Sequence, residues 1–382
     1  MVATPGIPVL DDGVVRLRAH SDDDIAATVE MCRDSEFVRW TSVPQPYTRD
    51  DARRFIREIV PMGWDRGDFR GWAIEARDNA GRARYAGNVD VRGKPVADIG
   101  FGLHPWARGR GVMARAVRLA ARWGFEHGDV AALHWRAAVG NLPSRRVAWA
   151  AGFTFHGTVP RLLAERGEVV DAWIGSLPPG QDMTPRTRWL EPVGLRGERV
   201  VLRRFRDADV PRVVAACSDE RSRQWLAVLP APYTDRDART YLLAQEVQQS
   251  LDASVTWCIA DPRTDMLLGN IGVMDLHGLD PTSGEIGYWV HPDARGQGVM
   301  SEALRLVVDH AFADVAGGGL GLRRLSLGTA VDNLASQYVA RRAGFTEVGH
   351  HRAAERLGDG SYSDALWFDL LAGEIGPPTS RG

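Results

Sequence analysis

The sequence predicts two tandem copies of one domain of the mixed α/β class, each a mixed sheet flanked by helices. The segment HPWARGRGVMARAVRL at residues 104–119 returns as HPDARGQGVMSEALRL at residues 291–306, and such repetition indicates a duplicated domain. The chain of 382 residues is too long for one ordinary core and fits two domains. Strands and helices do not alternate strictly within a copy, which favours a mixed sheet over a doubly wound parallel one.

The duplication extends through nearly the whole chain, with loops that change length and landmarks that persist. It predicts domains at residues 1–178 and 194–375 and a tail at 376–382. Residues 178–192 read PPGQDMTPRTRWLEP, and this composition predicts a linker at 179–193. The matched landmarks are Arg18 with Arg203, Trp40 with Trp225, Thr48 with Thr234, Trp72 with Trp257, Asn88 with Asn270, Gly100 with Gly287 and Phe153 with Phe345.

The first half of each copy predicts a strand, a helical region and a pair of strands. Thr48 and Thr234 each stand before a polar helical pattern, where a threonine can cap the first turn. We therefore expect helices at 49–60 and 235–250. The predicted strands are 14–18, 71–76 and 85–92 in the first copy and 200–203, 256–260 and 267–275 in the second.

The second half of each copy predicts a strand that runs directly into a glycine loop and a long helix. In the second copy apolar residues recur at helical spacing in two sets, from Val299 and from Met300, so we expect this helix to pack on much of its surface. Another strand precedes a helix that starts near Asn141 or Asn333, and a last strand pair closes the copy. These strands are predicted at 97–103 and 133–138 in the first copy and at 284–290 and 324–329 in the second.

Composition excludes several classes of function. Apolar residues make up 44% and charged residues 25% of the chain, as in ordinary soluble globular proteins. The net charge of −2 makes nucleic acid a poor partner. Cys32, Cys217 and Cys258 form no CxxC pair, so neither a zinc site nor a disulfide framework is indicated. With no signal peptide and no apolar run of membrane length in the sequence, we expect a cytoplasmic protein without membrane or metal partners.

The repeated glycine loops fit the pattern R-x-x-G-x-M. Because glycine has no Cβ, a pyrophosphate can approach the backbone closely, and the following helix N-terminus adds partial positive charge. A single match could be a plain strand-to-helix turn, but its repetition after a strand favours two phosphate-binding sites. The sequence has neither GxxxxGK[ST] nor a GxGxxG with a well-placed acidic residue, which argues against an NTPase or a Rossmann site. The loops are Arg108, Gly109, Arg110, Gly111, Val112 and Met113, and Arg295, Gly296, Gln297, Gly298, Val299 and Met300.

A second repeated block follows each loop and has the pattern N-x-x-S, then A-G-F. In the first copy it runs from Asn141 and Ser144 to Phe153, and in the second from Asn333 and Ser336 to Phe345. With the loops, this block resembles the GNAT superfamily of acyl-CoA-dependent N-acyltransferases, in particular its RimJ/RimL-type branch. The resemblance covers about residues 10–178 and 194–375.

That resemblance implies mixed, mostly antiparallel sheets and acetyl-CoA as the acyl-donor co-substrate. The thioester would lie between two splayed central strands, of which residues 284–290 are the first in copy two. The loop residues given above, together with Val290, Asn333 and Asn141, are the implied acetyl-CoA contacts. Asn333 and Asn141 could equally cap the helix that follows them.

Two departures from the family's pattern bear on mechanism. The last loop position is usually glycine or alanine, whereas Met113 and Met300 stand here. Their amides can still donate hydrogen bonds if the side chains point away from the ligand. Many relatives carry a tyrosine seven residues after the block's asparagine as the acid for the leaving thiolate, and here those positions are Ala148 and Ala340.

Acyl transfer to an amine needs a base for the amine, because a lysine-like amine has a pKa of about 10.4 and an α-amine about 7.7 to 8.0. Glu285 matches the general base of several GNAT enzymes, and Asp98 is its shorter counterpart in copy one. Either could instead be a solvated carboxylate on a strand. Ser336 and Ser144 are the candidates for meeting the sulfur in place of the missing tyrosine, although a first-turn serine can also bond locally, and water could supply the proton.

The leading hypothesis is therefore an acetyl-CoA-dependent N-acetyltransferase whose acceptor is a peptide, a protein N-terminus or a small amine, with the second copy favoured as catalytic. In one alternative, one copy is a non-catalytic partner. In another, both copies are acyl-CoA-binding sensors or scaffolds. We also expect the two domains to form an internal pseudo-dimer, which would let a monomeric chain function.

Overall fold

The computed structural model describes residues 6–226 and 229–374. The chain divides into two compact units, and the boundary between Arg186 and Thr187 lies inside the predicted linker. The predicted tail at 376–382, with residue 375 before it, lies outside the described residues.

The first unit is a mixed eight-stranded sheet flanked by helices. Its strand order is β1-β2-β3-β4-β5-β6-β8-β7. Its strands are β1 (Leu10–Asp11), β2 (Val15–Arg18), β3 (Phe69–Arg77), β4 (Ala83–Arg92), β5 (Val96–Leu103), β6 (Ala132–Ala138), β7 (Thr154–Glu165) and β8 (Glu168–Leu177). Its helices are α1 (Ile25–Arg33), α2 (Ser35–Arg39), α3 (Arg49–Arg54), α4 (Val60–Arg66), α5 (Val112–His127) and α6 (Leu142–Ala150), with a π-helical turn at Phe55–Ile59 joining α3 to α4.

The second unit repeats this arrangement, and its eight strands run in the order β15-β16-β14-β13-β12-β11-β10-β9. The strands are β9 (Leu195–Arg196), β10 (Val201–Arg203), β11 (Val255–Ala260), β12 (Leu267–Met274), β13 (Ser283–Val290), β14 (Arg324–Ala330), β15 (Thr346–Arg356) and β16 (Tyr362–Leu371). The helices are α7 (Val210–Ser218), α8 (Glu220–Trp225), α9 (Asp235–Ser250), α10 (Val299–Phe312) and α11 (Leu334–Arg342). The predicted fold class, two domains with mixed and mostly antiparallel sheets, is confirmed.

The helix starts predicted after Thr48 and Thr234 are confirmed by their side-chain hydrogen bonds. Thr48 and Thr234 accept hydrogen bonds from the backbone N–H of Asp51 and Asp237, and each aspartate returns a bond to its threonine's N–H. This reciprocal capping box satisfies two donors that a helix start would otherwise leave unpaired. The helix at 235–250 has the predicted bounds, whereas the helical run from 49 continues through the π-helical turn to Arg66.

Each sheet has one parallel strand pair in its described part, and this pair separates after three residues. In the second unit β13 pairs with β14 only from Ser283 opposite Arg324 to Glu285 opposite Ser326. In the first, β5 pairs with β6 only from Val96 to Asp98. Beyond that point β13 and β5 stay paired on their antiparallel side. The central strands therefore diverge, as the resemblance predicted.

The core of the second unit lies between its sheet and α10. Val299, Met300, Ala303, Leu304 and Val308 of this helix are all buried in the same apolar cluster as the sheet residues. The sequence's two overlapping apolar sets are thus explained by a helix that packs on a wide face.

The predicted linker is fixed at both ends. Within the first unit, Arg118 donates to the backbone oxygen of Met183 at 2.7 Å. Within the second, the N–H of Leu190 donates to the Gln249 oxygen at 3.0 Å, and the Trp257 indole donates to the Val193 oxygen at 2.9 Å. Among the described residues, no helix is long and apolar enough to cross a membrane.

A buried ion pair ties the start of each unit together. Arg203 forms two hydrogen bonds with Asp209, at 2.8 and 2.9 Å, and both side chains are almost fully buried. Arg18 and Asp24 repeat the pair in the first unit. Because a charge that loses its partner inside a protein is costly, the pair makes the geometry between the first long strand and the following helix hard to change.

We predict that Asp209→Asn lowers the free energy of unfolding of the second unit by about 1 to 3 kcal/mol, because a charge-assisted buried hydrogen-bond pair is weakened while Arg203 keeps its second partner, Asp265. Asp207→Asn is the matched control, since Asp207 pairs with Arg239 on the surface and should cost under about 1 kcal/mol. Urea unfolding followed by tryptophan fluorescence measures both. Equal losses would contradict this role of the buried pair.

Candidate active site

The divergence of β13 and β14 opens a cleft of about 1730 Å³ in the second unit. One wall is the end of β13, including Tyr288 and Val290, and another is the start of α11 with Asn333 and Ser336. The glycine loop and the first turn of α10 form a third side, to which Arg295, Gly296, Gly298, Val299 and Met300 contribute. The structure thus brings most of the residues predicted in the second copy to one cleft, whereas Glu285 and Gln297 are not among its lining residues.

The glycine loops have the geometry of an anion cradle. Gly298 and Gly111 have φ values of 75° and 72°, a left-handed conformation that side chains with a Cβ rarely adopt. Each immediately precedes a long helix whose N-terminus has no side-chain cap. A Cβ placed on Gly109, Gly111 or Gly296 would meet no atom within 4 Å. First-turn N–H groups beside open space fit the pyrophosphate of a CoA ester.

The methionines at the end of the loops are accommodated by the core. Met300 and Met113 are almost fully buried, and Met300 belongs to the apolar cluster of the second unit. Val299 and Val112 beside them are buried as well. The departure from glycine or alanine at this position therefore leaves the loop backbone uncovered by a side chain.

The side chains of the loop arginines bind other residues of the protein, whereas the motif suggests that they contact acetyl-CoA. The side chain of Arg295 bonds Asp219 and, at 2.8 Å, the Ser222 hydroxyl, while Arg108 bonds Asp34. Arg295 thereby links its loop to the short helix α8, and Arg108 links its loop to α2. Their guanidinium groups are committed to these partners, and what the loop offers a phosphate is mainly its backbone.

The side chains at the third position of each loop bond to nearby backbone oxygens. The Gln297 amide donates to the backbone oxygen of Asp293 at 2.7 Å, and Gln297 lies outside the lining of the cleft. Arg110 donates to the backbone oxygen of Arg77 at 2.9 Å. A role for either side chain in binding stays a prediction.

Glu285 occupies the last paired position before β13 leaves β14. The side chain is partly buried, and burial is the main cause that raises its carboxyl pKa, with the charges of Asp275 and Glu355 adding to the shift. Among the ion pairs of the described residues, none includes Glu285. A carboxylate with a raised pKa near diverging strands has the properties of a general base.

Asp98 holds the equivalent position in the first unit, but its surroundings differ. The guanidinium of Arg136 on β6 forms an ion pair and a hydrogen bond with the Asp98 carboxylate. By strand register, Arg136 lies two residues beyond the partner of Asp98, and Gly328 holds that place in the second unit. The two candidate bases thus differ in charge environment as well as in length, a difference that the sequence analysis missed.

Ser336 and Ser144 both follow a capping asparagine. The Asn333 side chain accepts from the Ser336 N–H at 3.2 Å, and the Asn141 side chain accepts from the Ser144 N–H at 3.1 Å. Both asparagines therefore cap their helices, which supports that alternative of the sequence analysis. Whether they also contact acetyl-CoA stays a prediction.

The partners of the two serine hydroxyls differ between the units. The hydroxyl of Ser336 lies 2.9 Å from the Tyr288 hydroxyl, while that of Ser144 accepts from the Trp135 indole at 2.9 Å. Tyr288 was missed by the sequence analysis. The available signal was its repeat counterpart, Phe101, since only the second copy has a hydroxyl at that place.

The positions of the family's usual tyrosine offer no acid. Ala340 and Ala148 are almost fully buried against the core. The described residues also contain no group of three or more His, Cys, Asp or Glu side chains arranged to hold a metal ion.

The chain is similar to known acetyltransferases in both halves. The family model described as "Acetyltransferase (GNAT) domain" matches residues 15–154 and again 199–346. This protein therefore belongs to the GNAT acetyltransferase family, as a tandem duplication of its domain.

Two individual proteins to which the chain is similar are a curated relative and a solved structure. A protein named "Ribosomal-protein-serine acetyltransferase" from Escherichia coli (strain K12) is 38% identical over 102 residues, covering 27% of this chain and 53% of the relative. The Mycobacterium smegmatis protein RimJ, solved in complex with a CoA disulfide, is 20% identical with a TM-score of 0.44, covering 49% of this chain and 90% of that one. The chain spans about half the length of two of the curated relatives that it matches.

We predict that CoA binds through the loop at Arg295–Met300, and that calorimetry of the full chain shows up to two sites. Gly298→Val should abolish the site in the second unit, because valine at a φ of 75° is strained and its side chain would enter the path of the phosphates. Gly318→Val is the matched control, since Gly318 has a φ of 85° with open space around it but lies outside the cleft. Unchanged stoichiometry and affinity in Gly298→Val would reject the loop as the binding site.

Proposed function

We propose that this protein is an acetyl-CoA-dependent N-acetyltransferase that transfers an acetyl or other acyl group directly to a primary amine, and that its second unit is the catalytic one. The observation that carries the proposal is the position of Glu285 where β13 and β14 separate, with no ion-pair partner among the described residues. In the first unit the equivalent Asp98 is paired with Arg136.

Glu285 is suited to take the proton of the amine. A base works best when its pKa approaches the working pH, and burial raises the pKa of this carboxyl from its ordinary value. In the first unit the Asp98 carboxylate instead forms an ion pair and a hydrogen bond with Arg136. The second unit therefore has the stronger candidate.

The charge around Glu285 supports an amine as acceptor. Asp275, just after β12, and Glu355 on β15 are close enough to raise its pKa electrostatically. Three carboxyl groups from three parts of the sheet attract a protonated amine before it loses its proton. A neutral hydroxyl acceptor would not be attracted by these three charges.

Relatives suggest which amine to test first. The E. coli relative is named for acetylating a serine of a ribosomal protein. A protein or peptide α-amine is therefore our first acceptor candidate, ahead of small amines. An α-amine with a pKa of about 7.7 to 8.0 also needs less help from a base than a lysine does.

The position of Ser336 supports it as the group that meets the sulfur as the thioester breaks. Its hydroxyl lies on the cleft wall opposite β13, at the N-terminus of α11, where the helix dipole favours developing negative charge. A donated hydrogen bond at this point stabilises a departing thiolate. Neither Ala340 nor Ala148 can supply that bond.

A second function is favoured for the first unit. Its loop has the same left-handed glycines, but Asp98 is paired with Arg136 and the Ser144 hydroxyl accepts from an indole. These contacts support the alternative in which this unit binds an acyl-CoA without turning it over. The internal pairing of the two units stays a prediction.

We predict that Glu285→Gln lowers kcat/KM by about 100-fold near neutral pH, the lower end of the range for a positioned base, with nearly unchanged CoA affinity. Glu285 acts only when deprotonated, so wild-type kcat/KM should fall as pH drops through its raised pKa. This part of the acid limb should be lost in Glu285→Gln, while the part caused by protonation of the amine itself remains. The deficit should shrink at high pH, where the amine is already neutral. Thiol release with a peptide acceptor, followed from acidic pH near the ordinary glutamate pKa of about 4.3 up to about pH 9, measures both effects.

Asp98→Asn is the matched variant in the first unit and should cost much less on the same substrate. If Glu285→Gln keeps wild-type rates over the whole pH range, Glu285 is not the base. If Asp98→Asn is the damaging change, the first unit is the catalytic one.

A further inference from the structure

Two hydroxyl groups face each other across the cleft of the second unit. The Tyr288 hydroxyl on β13 lies 2.9 Å from the hydroxyl of Ser336 on α11 and 3.3 Å from the Ser336 backbone oxygen. Both residues line the cleft. Tyr288 projects from the part of β13 that has already separated from β14, and its bond joins that part of the strand to the first turn of α11.

The surroundings hold this pair in a defined state. Burial raises the pKa of Tyr288 to about 12, so at neutral pH the side chain is a phenol with a proton to donate. Asn333 fixes the first turn of α11 by accepting from the Ser336 N–H. When the phenol donates to Ser336, the serine's own O–H is left to point at another acceptor in the cleft.

The first unit provides a natural comparison. Phe101 replaces Tyr288, and the Ser144 hydroxyl accepts from the Trp135 indole instead. An indole N–H can orient a serine, but it keeps its proton. By strand register Leu327 takes the place of Trp135 in the second unit. Only the second unit therefore backs its serine with a group that can pass on a proton.

We propose that Tyr288 is a positioning residue that directs the Ser336 hydroxyl toward the departing sulfur and replaces the proton that the serine gives up. This inference rests on the proposed acyl transfer in the second unit. As the carbon–sulfur bond breaks, its electron pair goes to sulfur, Ser336 gives sulfur its proton, and Tyr288 gives its proton to Ser336. The phenolate is reprotonated by solvent, into which Glu285 has released the proton taken from the amine.

The hydrogen bond between Tyr288 and Ser336 avoids the formation of a serine alkoxide. A serine that gave up its proton without replacement would become an alkoxide, a much stronger base than the thiolate it protonated. Coupling to a phenol moves the negative charge onto Tyr288, which is a weaker base than a serine alkoxide even with its pKa raised to about 12. The strand residue Tyr288 thus supplies, through Ser336, what the buried Ala340 cannot.

The first test is a double-mutant cycle in the full chain with Tyr288→Phe and Ser336→Ala. Phenylalanine already occupies the equivalent place in the first unit, so Tyr288→Phe should fold. We expect Tyr288→Phe to lower kcat with acetyl-CoA at least about tenfold and to leave KM for acetyl-CoA within about twofold. In the Ser336→Ala background the same change should cost nothing further, because its effect passes through the serine.

Tyr233→Phe is the matched control, since it removes a buried phenol oxygen next to Cys217 in the same unit and should leave kcat unchanged. Wild-type kcat in Tyr288→Phe, or additive losses in the double mutant, would overturn the inference while leaving the acyl transfer itself intact. A wild-type chain that releases no thiol with any amine would instead reject the proposed function.

A second measurement separates proton donation from packing. Incorporation of 3,5-difluorotyrosine at position 288 keeps the shape of the side chain and lowers the phenol pKa. We expect the alkaline limb of kcat to move to lower pH, because a deprotonated phenol can no longer donate to Ser336. An unchanged pH profile would mean that Tyr288 serves packing alone and would overturn the inference.

Discussion

The short parallel contact in each sheet is the constraint on which the rest of the structure depends. β13 and β14 share three residue pairs and then separate, while every other neighbouring pair in the sheet is antiparallel. Parallel neighbours need a crossover connection, and α10 provides it. The helix therefore begins where the strands part, and its unsatisfied N–H groups face the opening. One topological feature thus creates both the cleft and its anion-binding end.

The two units share this backbone arrangement and differ in the side chains at the point where the strands diverge. Both loops begin their helices at left-handed glycines, and both loop arginines are clipped to a short helix. At the point of divergence one unit has a paired aspartate and the other a glutamate with a raised pKa. Duplication has preserved backbone geometry, which requires particular residues such as glycine, while side chains that face the cleft have changed.

The charge around Glu285 differs from the charge along the cleft of the second unit. The cleft lining carries both signs: Arg199, Arg221, Arg305 and Arg342, with Glu198, Glu302, Asp309 and Glu374. Glu285 is not among the lining residues, and the charges near it are those of Asp275 and Glu355. Carboxyl groups gathered around Glu285 favour a cationic acceptor at that place.

The sequence by itself determined the duplication, the order of the elements, the capping threonines and asparagines and the anion loop, because these depend on local patterns and on residues a few positions apart. It also pointed to Glu285 and Ser336 through family resemblance. Only the tertiary structure decided their partners. Arg136 reaches Asp98 through the register of one parallel strand pair, and Tyr288 reaches Ser336 from the part of β13 that has separated from β14. Contacts between residues so distant in sequence depend on register and on the point of divergence, and neither leaves a local signal.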